Sequence, residues 1–269
     1  MSLCLPLGFQ SSQYQITYYA ITPAEGTGLL PIRGIVFDKD GTLLDFNATW
    51  VPVNRAIALL AAEGDRELAA RILTASGQDE ATGTVASGSL LAAGSNHQIA
   101  AFWQTFVPHK DVQTLVRLIN GVGKSAAAFT ARPVPDLTRS IAAIAGRGFK
   151  LGLATSDSFE SAHETLAPFD VLHAFDFVCG YDSGFGLKPE PGMVHGFCDS
   201  TGCRPDEVCV VGDNAHDMEM AMAAKVGLRV GVLTGTSSRH DLAPLADHVL
   251  PSISDLLALI DQFNAGEMP

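Results

Sequence analysis

Four short clusters carry the residues from which chemistry can be built. The first is Asp38-Lys39-Asp40-Gly41-Thr42-Leu43, directly after the apolar run Gly34-Ile35-Val36-Phe37. Two carboxylates one residue apart can converge on a single metal ion or reacting centre, and Gly41 and Thr42 leave backbone N–H groups free to hold an oxyanion. By itself this is also an ordinary Asp-Gly turn. The second, Thr155-Ser156-Asp157, follows KLGLA and offers hydroxyls and a backbone N–H to a phosphate oxygen, although Ser or Thr at such a place is also a common helix cap. The third is Lys188-Pro189 in GFGLKPEPG, a cation in a loop braced by Gly and Pro; singly it fits a solvated surface lysine equally well. The fourth, Gly212-Asp213-Asn214-Ala215-His216-Asp217, follows VCVV. Asp213 and Asp217 are four apart and face the same way at a helix start. Carboxylate oxygens are the ligands Mg²⁺ prefers, while the helix dipole alone would also favour Asp there.

The elements that must position these clusters follow from periodicity. After Pro133 the pattern alternates: helix Asp136–Arg147, strand Lys150–Thr155, helix Phe159–Leu166, strand Phe175–Cys179, and a helix after Pro191. Strand Val208–Gly212, helix His216–Ala224, strand Arg229–Leu233 and helix Ile253–Phe263 complete it. Such alternation specifies parallel βαβ units with helices on both faces of one sheet. In sheets of this kind ligands bind beyond the carboxyl ends of the strands, where all four clusters fall. From about Asn47 to Val122 the pattern is helical instead, with faces Val53/Ile57/Leu60/Ala61, Leu68/Ile72/Leu73 and Leu115/Leu118/Ile119. The Gly/Ser/Ala stretch 81–95 reads as a loop with a short helix. The organisation expected is an N-terminal extension over 1–31, a core formed by 32–46 and 126–269, and a helical cap over 47–125.

Taken together and in this order, the clusters resemble the motifs of the haloacid dehalogenase superfamily of phosphohydrolases, and the chain is similar to phosphoglycolate phosphatases. VFDKDGTL looks like the first motif, LATS the second, Lys188 the third and VGDNAHD the fourth, and the likeness covers about residues 33–261. It implies an α/β fold, a Rossmann-like three-layer core with a parallel sheet, plus a helical cap inserted after the first strand motif. The stretch between Thr155 and Lys188 is too short to hold a cap at the alternative position. By the same likeness Asp38 is the nucleophile that becomes an aspartyl-phosphate. Asp40 would protonate the leaving alcohol and then activate water. Mg²⁺ would be held by Asp38, the backbone carbonyl of Asp40 and Asp213. Asp217 would be a ligand through water or a partner of Lys188, and Thr155 and Lys188 would bind the transferring phosphoryl with Gly41, Thr42 and Ser156 beside them. Lys39 departs from the pattern, standing where many relatives have an apolar residue; it either assists an anion beside the site or faces the flank. His216 and Asn214 occupy variable positions, and His216 is given no catalytic role.

The chemistry is coherent on physical grounds. A carboxylate attacking a phosphate dianion meets charge repulsion that a metal and a lysine must neutralise. A covalent intermediate divides the reaction into two easier steps, and the two aspartates need different environments to serve as nucleophile and as acid–base. Substrate choice is expected in the cap. Phe46, Asn47 and Trp50 follow the first motif closely enough to line the entrance, and Ser87, Gly88 and Ser89, with His97, form a candidate specificity loop. Packing of Phe46 and Trp50 at the hinge is the competing reading. Cap closure would exclude bulk water.

Composition bounds the alternatives. The 269 residues carry 17 Lys+Arg against 29 Asp+Glu, a net charge of −12, which opposes a nucleic-acid partner. A hydrophobic share of 47% excludes overall disorder. The five cysteines are odd in number and lack CxxC spacing, so a reducing compartment is expected. No Lys or Arg precedes Arg33 and no apolar run reaches 18 residues, so neither a signal peptide nor a membrane span is expected, and a cytoplasmic location follows. Asn120-Gly-Val-Gly-Lys-Ser125 lacks the first glycine and the strand of a P-loop, and Gly184-Phe-Gly186 lacks the third glycine of a dinucleotide site. The expected partner is a small phosphorylated metabolite, for a monomer or homodimer. The alternatives are a phosphomutase and a non-catalytic regulatory protein that binds a phosphometabolite.

Overall fold

A computed structural model of the chain describes residues 30–267. The expected extension lies outside the described residues up to position 29, as does Cys4; Ile32 already belongs to the core. In chain order the strands are β1 (Gly34–Phe37), a short pair β2 (Gln78–Asp79) and β3 (Thr84–Val85), then β4 (Lys150–Ala154), β5 (Phe177–Cys179), β6 (Val208–Gly212), β7 (Leu228–Val232) and β8 (His248–Leu250). Helices α1 (Phe46–Ala61), α2 (Arg66–Ala75), α3 (Leu90–Ala93), α4 (Asn96–Gln104) and α5 (Val112–Thr130) fall between β1 and β4. The core helices are α6 (Leu137–Gly146), α7 (Phe159–Leu166), α8 (Gly192–Thr201), α9 (Ala215–Ala224), α10 (Arg239–Leu242) and α11 (Leu256–Asn264).

Six strands form one parallel sheet in the order β5-β4-β1-β6-β7-β8. All four residues of β1 are buried because both faces of the sheet are covered. Ile35 and Phe37 point into an apolar layer completed by Ile141 and Ile144 of α6 and by Leu256 and Ile260 of α11. Val36 points the other way, to Val194 and Phe197 of α8 and Met220 and Ala221 of α9. This is the expected three-layer α/β core. The chain winds outward from β4 to β5, then crosses to β6 on the other side of β1. The crevice beyond the carboxyl ends of β1, β4 and β6 is therefore the switch point where such folds bind ligands.

The inserted helices have their own apolar cluster, built from Val53, Ile57 and Ala61 of α1, Ile72 and Leu73 of α2, Trp103 of α4 and Leu115 and Ile119 of α5. Leu60, expected on that face, is exposed instead; the buried stripe of α1 runs through Ala58 and Ala61. Caps set the helix starts: the Asp45 side chain accepts from the Ala48 N–H, Asp65 from Glu67 and Leu68, and Ser95 forms a capping box with Gln98. Buried Trp103 donates its indole N–H to Ser76 Oγ at 2.9 Å.

Several expectations shift. Helix α5 runs unbroken through the boundary expected at 125/126, so the P-loop-like Asn120–Ser125 is helical. The stretch 81–95 does hold a short helix, α3, but it also pairs Thr84–Val85 with Gln78–Asp79 as an antiparallel hairpin. That pairing is fastened from outside the stretch, by Asn47 Oδ1 accepting the Val85 N–H at 2.9 Å. Edge strand β8 was not expected: three residues give no periodicity to read. Strand β5 begins at Phe177, two residues late, and Ile253–Asp255 is a 3₁₀ turn ahead of α11.

Candidate active site

The end of β1 carries Asp38, the end of β6 carries Asp213, and the first turn of α9 carries Asp217. One oxygen from each lies within 4.8 Å of the others, and all three residues are buried. Lys188 enters from the loop after β5, its Nζ donating to Asp38 Oδ1 at 2.5 Å and to Asp217 Oδ1 at 2.6 Å. Asp217 also closes the capping box of α9, its Oδ2 accepting the Asn214 N–H at 3.1 Å, so the helix start itself fixes that carboxylate. The His216 backbone N–H donates to Asn214 Oδ1.

Three clustered, buried carboxylates thus have one ammonium, bonded to two of them, and the group is short of positive charge. Burial, and then the Asp217 charge, push the Asp38 carboxyl up to about 7 against the pull of Lys188. Burial and the charges of Asp38 and Asp217 drive Asp213 well above the ordinary carboxylate range. Burial works against the charge of Lys188, but Asp217 and Asp38 hold it above the usual lysine value. An all-oxygen donor set with a deficit of positive charge fits a hard divalent cation.

Two loops clamp Asp213. Gly41 adopts φ +85°, and a side chain there would place Cβ 2.6 Å from both Asp213 carboxylate oxygens. From the loop after β7, Gly235 packs so closely on the same carboxylate that any Cβ would overlap it. The Thr236 N–H donates to Asp213 Oδ2 at 2.9 Å, and Thr234 Oγ1 donates to the Gly41 carbonyl at 2.6 Å. Sequence reasoning missed this Thr-Gly-Thr loop because it carries no charge. Its place at the end of a parallel strand beside β6 was the available signal.

Thr155 is buried at the end of β4, and its Oγ1 accepts the Asp157 N–H at 3.1 Å. Ser156 beside it is exposed. Thr42 is fully buried, and its Oγ1 has no hydrogen-bond partner among the described residues. The carboxylate of Asp40 stands apart from the other three: Oδ1 accepts the Trp50 indole N–H at 2.8 Å and Oδ2 pairs with Lys39 Nζ at 2.9 Å. Only the backbone of Asp40 is thus left to serve a cation. Lys39 faces no solvent at all; its side chain is 0% exposed. Lys39 is thus turned inward, drawn by the two carboxylates Asp40 and Asp157.

Among the cap residues, Trp50 reaches Asp40 through its indole N–H. Phe46 packs with Val51 and Val85, and Asn47 fastens the hairpin, so these two tie the start of α1 to the cap hairpin. Gly88 adopts φ +66° in open space, and Ser89 Oγ is buried against Gly77 without a hydrogen-bond partner among the described residues. The Ser87 hydroxyl joins Ser238 in holding the exposed Asp241 carboxyl below its usual range, the Ser238 N–H contributing most. His97 is exposed in the first turn of α4.

This layout of aspartates, lysine and cap is that of one hydrolase family: a profile of the haloacid dehalogenase-like hydrolases matches residues 32–225, and the chain belongs to that family. Among curated relatives, the phosphoglycolate phosphatase of Photorhabdus laumondii is 27% identical over 232 residues, covering 85% of this chain and 92% of that protein. The phosphoglycolate phosphatase of Escherichia coli K12 is 28% identical over 244 residues, covering 84% and 91%. Among solved structures, a predicted phosphoglycolate phosphatase from Haemophilus somnus superposes with a TM-score of 0.66 at 20% identity, covering 86% of this chain and 99% of that one. A haloacid dehalogenase-superfamily hydrolase of subfamily IA from Geobacter sulfurreducens gives 0.61 at 18%, covering 85% and 96%. The chain is a hydrolase whose curated relatives are phosphatases, and at these identities the structural likeness speaks to the fold. Among the described residues no helix is long and apolar enough to cross a membrane, and Cys179, Cys198, Cys203 and Cys209 are buried free thiols.

Proposed function

We propose that this hydrolase is a Mg²⁺-dependent phosphatase of a small phosphorylated metabolite, similar to phosphoglycolate phosphatases, acting in the cytoplasm through an aspartyl-phosphate on Asp38. The observation that carries the reading is the cluster of Asp38, Asp213 and Asp217 at the switch point of the sheet, with Lys188 bonded to Asp38 and Asp217. Asp38, Asp213 and the backbone carbonyl of Asp40 would hold the cation, which supplies charge neutralisation for the entering phosphate. Asp38 attacks phosphorus, and the alcohol leaves with a proton delivered by Asp40. Asp40 then takes a proton from the water that cleaves the acyl-phosphate, restoring both groups. Lys188, the Thr155 hydroxyl and the Thr42 hydroxyl would meet the charge that develops on the phosphoryl oxygens. Phe46 stands at the entrance to a cap over 47–125 that holds Asn47, Trp50 and the 87–89 loop, with the return to the core at the end of α5, and substrate selection is assigned there.

The test is release of inorganic phosphate from an aryl phosphate and from a panel of phosphorylated metabolites. Activity should require Mg²⁺, disappear with EDTA, and be lost in Asp38→Asn. Wild-type turnover by Asp38→Asn would refute the nucleophile. Isomerisation of a sugar phosphate without phosphate release would favour a mutase, and binding without turnover a regulatory protein.

A further inference from the structure

Most lysines are solvated, and burying one is unfavourable by several kcal/mol unless its donors are matched. Lys39 is fully buried, and each of its three N–H donors has a partner: Asp40 Oδ2 at 2.9 Å, Asp157 Oδ2 at 3.0 Å and Thr165 Oγ1 at 3.4 Å. The partners are themselves fixed. Asp157 Oδ2 accepts the Ser161 hydroxyl at 2.6 Å and Oδ1 the Ser158 N–H at 2.8 Å. Thr165 Oγ1 donates to the Ser161 carbonyl at 2.8 Å, which leaves a lone pair for the lysine. The ammonium is therefore seated in the loop after β4 and the body of α7, and from that seat it reaches forward to one oxygen of Asp40. The other oxygen is held by Trp50 from α1, whose ring also faces the ammonium with its centroid 5.8 Å from Nζ.

A carboxylate on two rotatable bonds is aimed only if both oxygens are tied. Asp40 has one tie from the core and one from the cap. We propose that Lys39 is a positioning residue, a buried cationic strut that aims the Asp40 carboxylate and locks the loop after β1 to the loop after β4, so that Asp40 keeps its distance from the phosphoryl held by Thr155. The proposal rests on the reading of Asp40 as acid and base. Lys39 touches none of the three clustered carboxylates, which Lys188 serves, so its loss should spare cation binding and substrate binding and strike turnover. Misplacement of a reacting group by about 1 Å is enough for a loss on the order of 10²-fold.

The experiment compares wild type, Asp40→Asn, Lys39→Met and the double variant Lys39→Met/Asp157→Asn, using an aryl phosphate with Mg²⁺ and a thermal melt for each. Lys39→Met should lower kcat by about 10²-fold while KM and the Mg²⁺ concentration for half-activity stay within about threefold. It should also melt lower, because the half-buried Asp157 is left without its cation. In the double variant that charge is gone, so the melting temperature should recover while kcat stays low. Recovery of kcat together with stability would make the lysine a structural tie and overturn the proposal, as would wild-type kcat in Lys39→Met or loss of the fold in both variants. An unimpaired Asp40→Asn would refute the role of Asp40 itself and take this inference with it. An impaired Asp40→Asn beside an unimpaired Lys39→Met overturns the positioning alone.

Discussion

The deficit of positive charge at Asp38, Asp213 and Asp217 should make stability respond to a divalent cation, and the size of the expected effect can be worked out. Burial and the neighbouring Asp217 raise Asp38 from 3.8 to about 7. Three units at roughly 1.4 kcal/mol each correspond to at most ~4 kcal/mol of unfavourable charge that the cation-free protein carries at neutral pH. Because the folded value lies above the unfolded one, this group's stabilising share is complete below about pH 4 and is lost as pH rises through about 7. A bound cation removes the penalty. At a hundredfold excess over its dissociation constant it contributes ~2.7 kcal/mol, which for a chain of this size shifts Tm by roughly 5–10 °C. The assay is thermal unfolding in EDTA and in Mg²⁺ at matched ionic strength, across pH 5 to 8. Without Mg²⁺ the Tm contribution from this site should fall with rising pH; with Mg²⁺ the fall should flatten. Asp213→Asn should stabilise the cation-free protein and abolish the Mg²⁺ shift. An unchanged Tm with Mg²⁺, or a shift that persists in Asp213→Asn, would refute the reasoning.

Other perturbations have directions that follow from single contacts. Lys188→Met leaves two buried carboxylates unpaired, so we expect a loss of ~3–5 kcal/mol in EDTA, smaller in Mg²⁺, and a fall in kcat of about 10²-fold or more, read by denaturant melts and phosphate release. Gly41→Ala demands φ +85° of an L residue and drives Cβ into Asp213, which should cost ~1–3 kcal/mol and weaken the Mg²⁺ shift; denaturant midpoints with and without Mg²⁺ check both. Trp50→Phe keeps an aromatic side chain but removes the N–H held by Asp40 Oδ1, and should lower kcat about tenfold with little change in Tm.

Much of the core was legible because periodicity and site chemistry agreed. GIVF, KLGLA and VCVVG are short apolar runs that end in carboxylates or hydroxyls, and each is a strand of the parallel sheet delivering those residues to one edge. The meeting of Asp38, Asp213, Asp217 and Lys188 could be anticipated from motif order, since every strand end in such a sheet faces the same crevice. What escaped was decided by contacts distant in the chain. Nothing around Lys39 announces its burial; that depends on Asp157 and Thr165, more than a hundred residues away. The Thr234–Thr236 loop acts through a backbone N–H, one uncharged hydroxyl and the bare backbone of a glycine, so residue type was a poor guide. In the cap, Leu60 and Ala58 suit a helical face equally well by period, and only the packing of α1 against its neighbours selects between them.

The clamp on Asp213 has a consequence for synthesis. The carboxylate emerges in a chain that has already made Asp38, Thr155 and Lys188, yet the backbone that fixes it belongs to residues 234–236, after one further helix and strand. A nascent chain halted before that loop holds all four clusters but leaves Asp213 without the Thr236 N–H and without the wall that Gly235 provides. The catalytic edge is thus completed late in translation, and a partly made chain has no finished site with which to act on phosphoesters while it is still being folded.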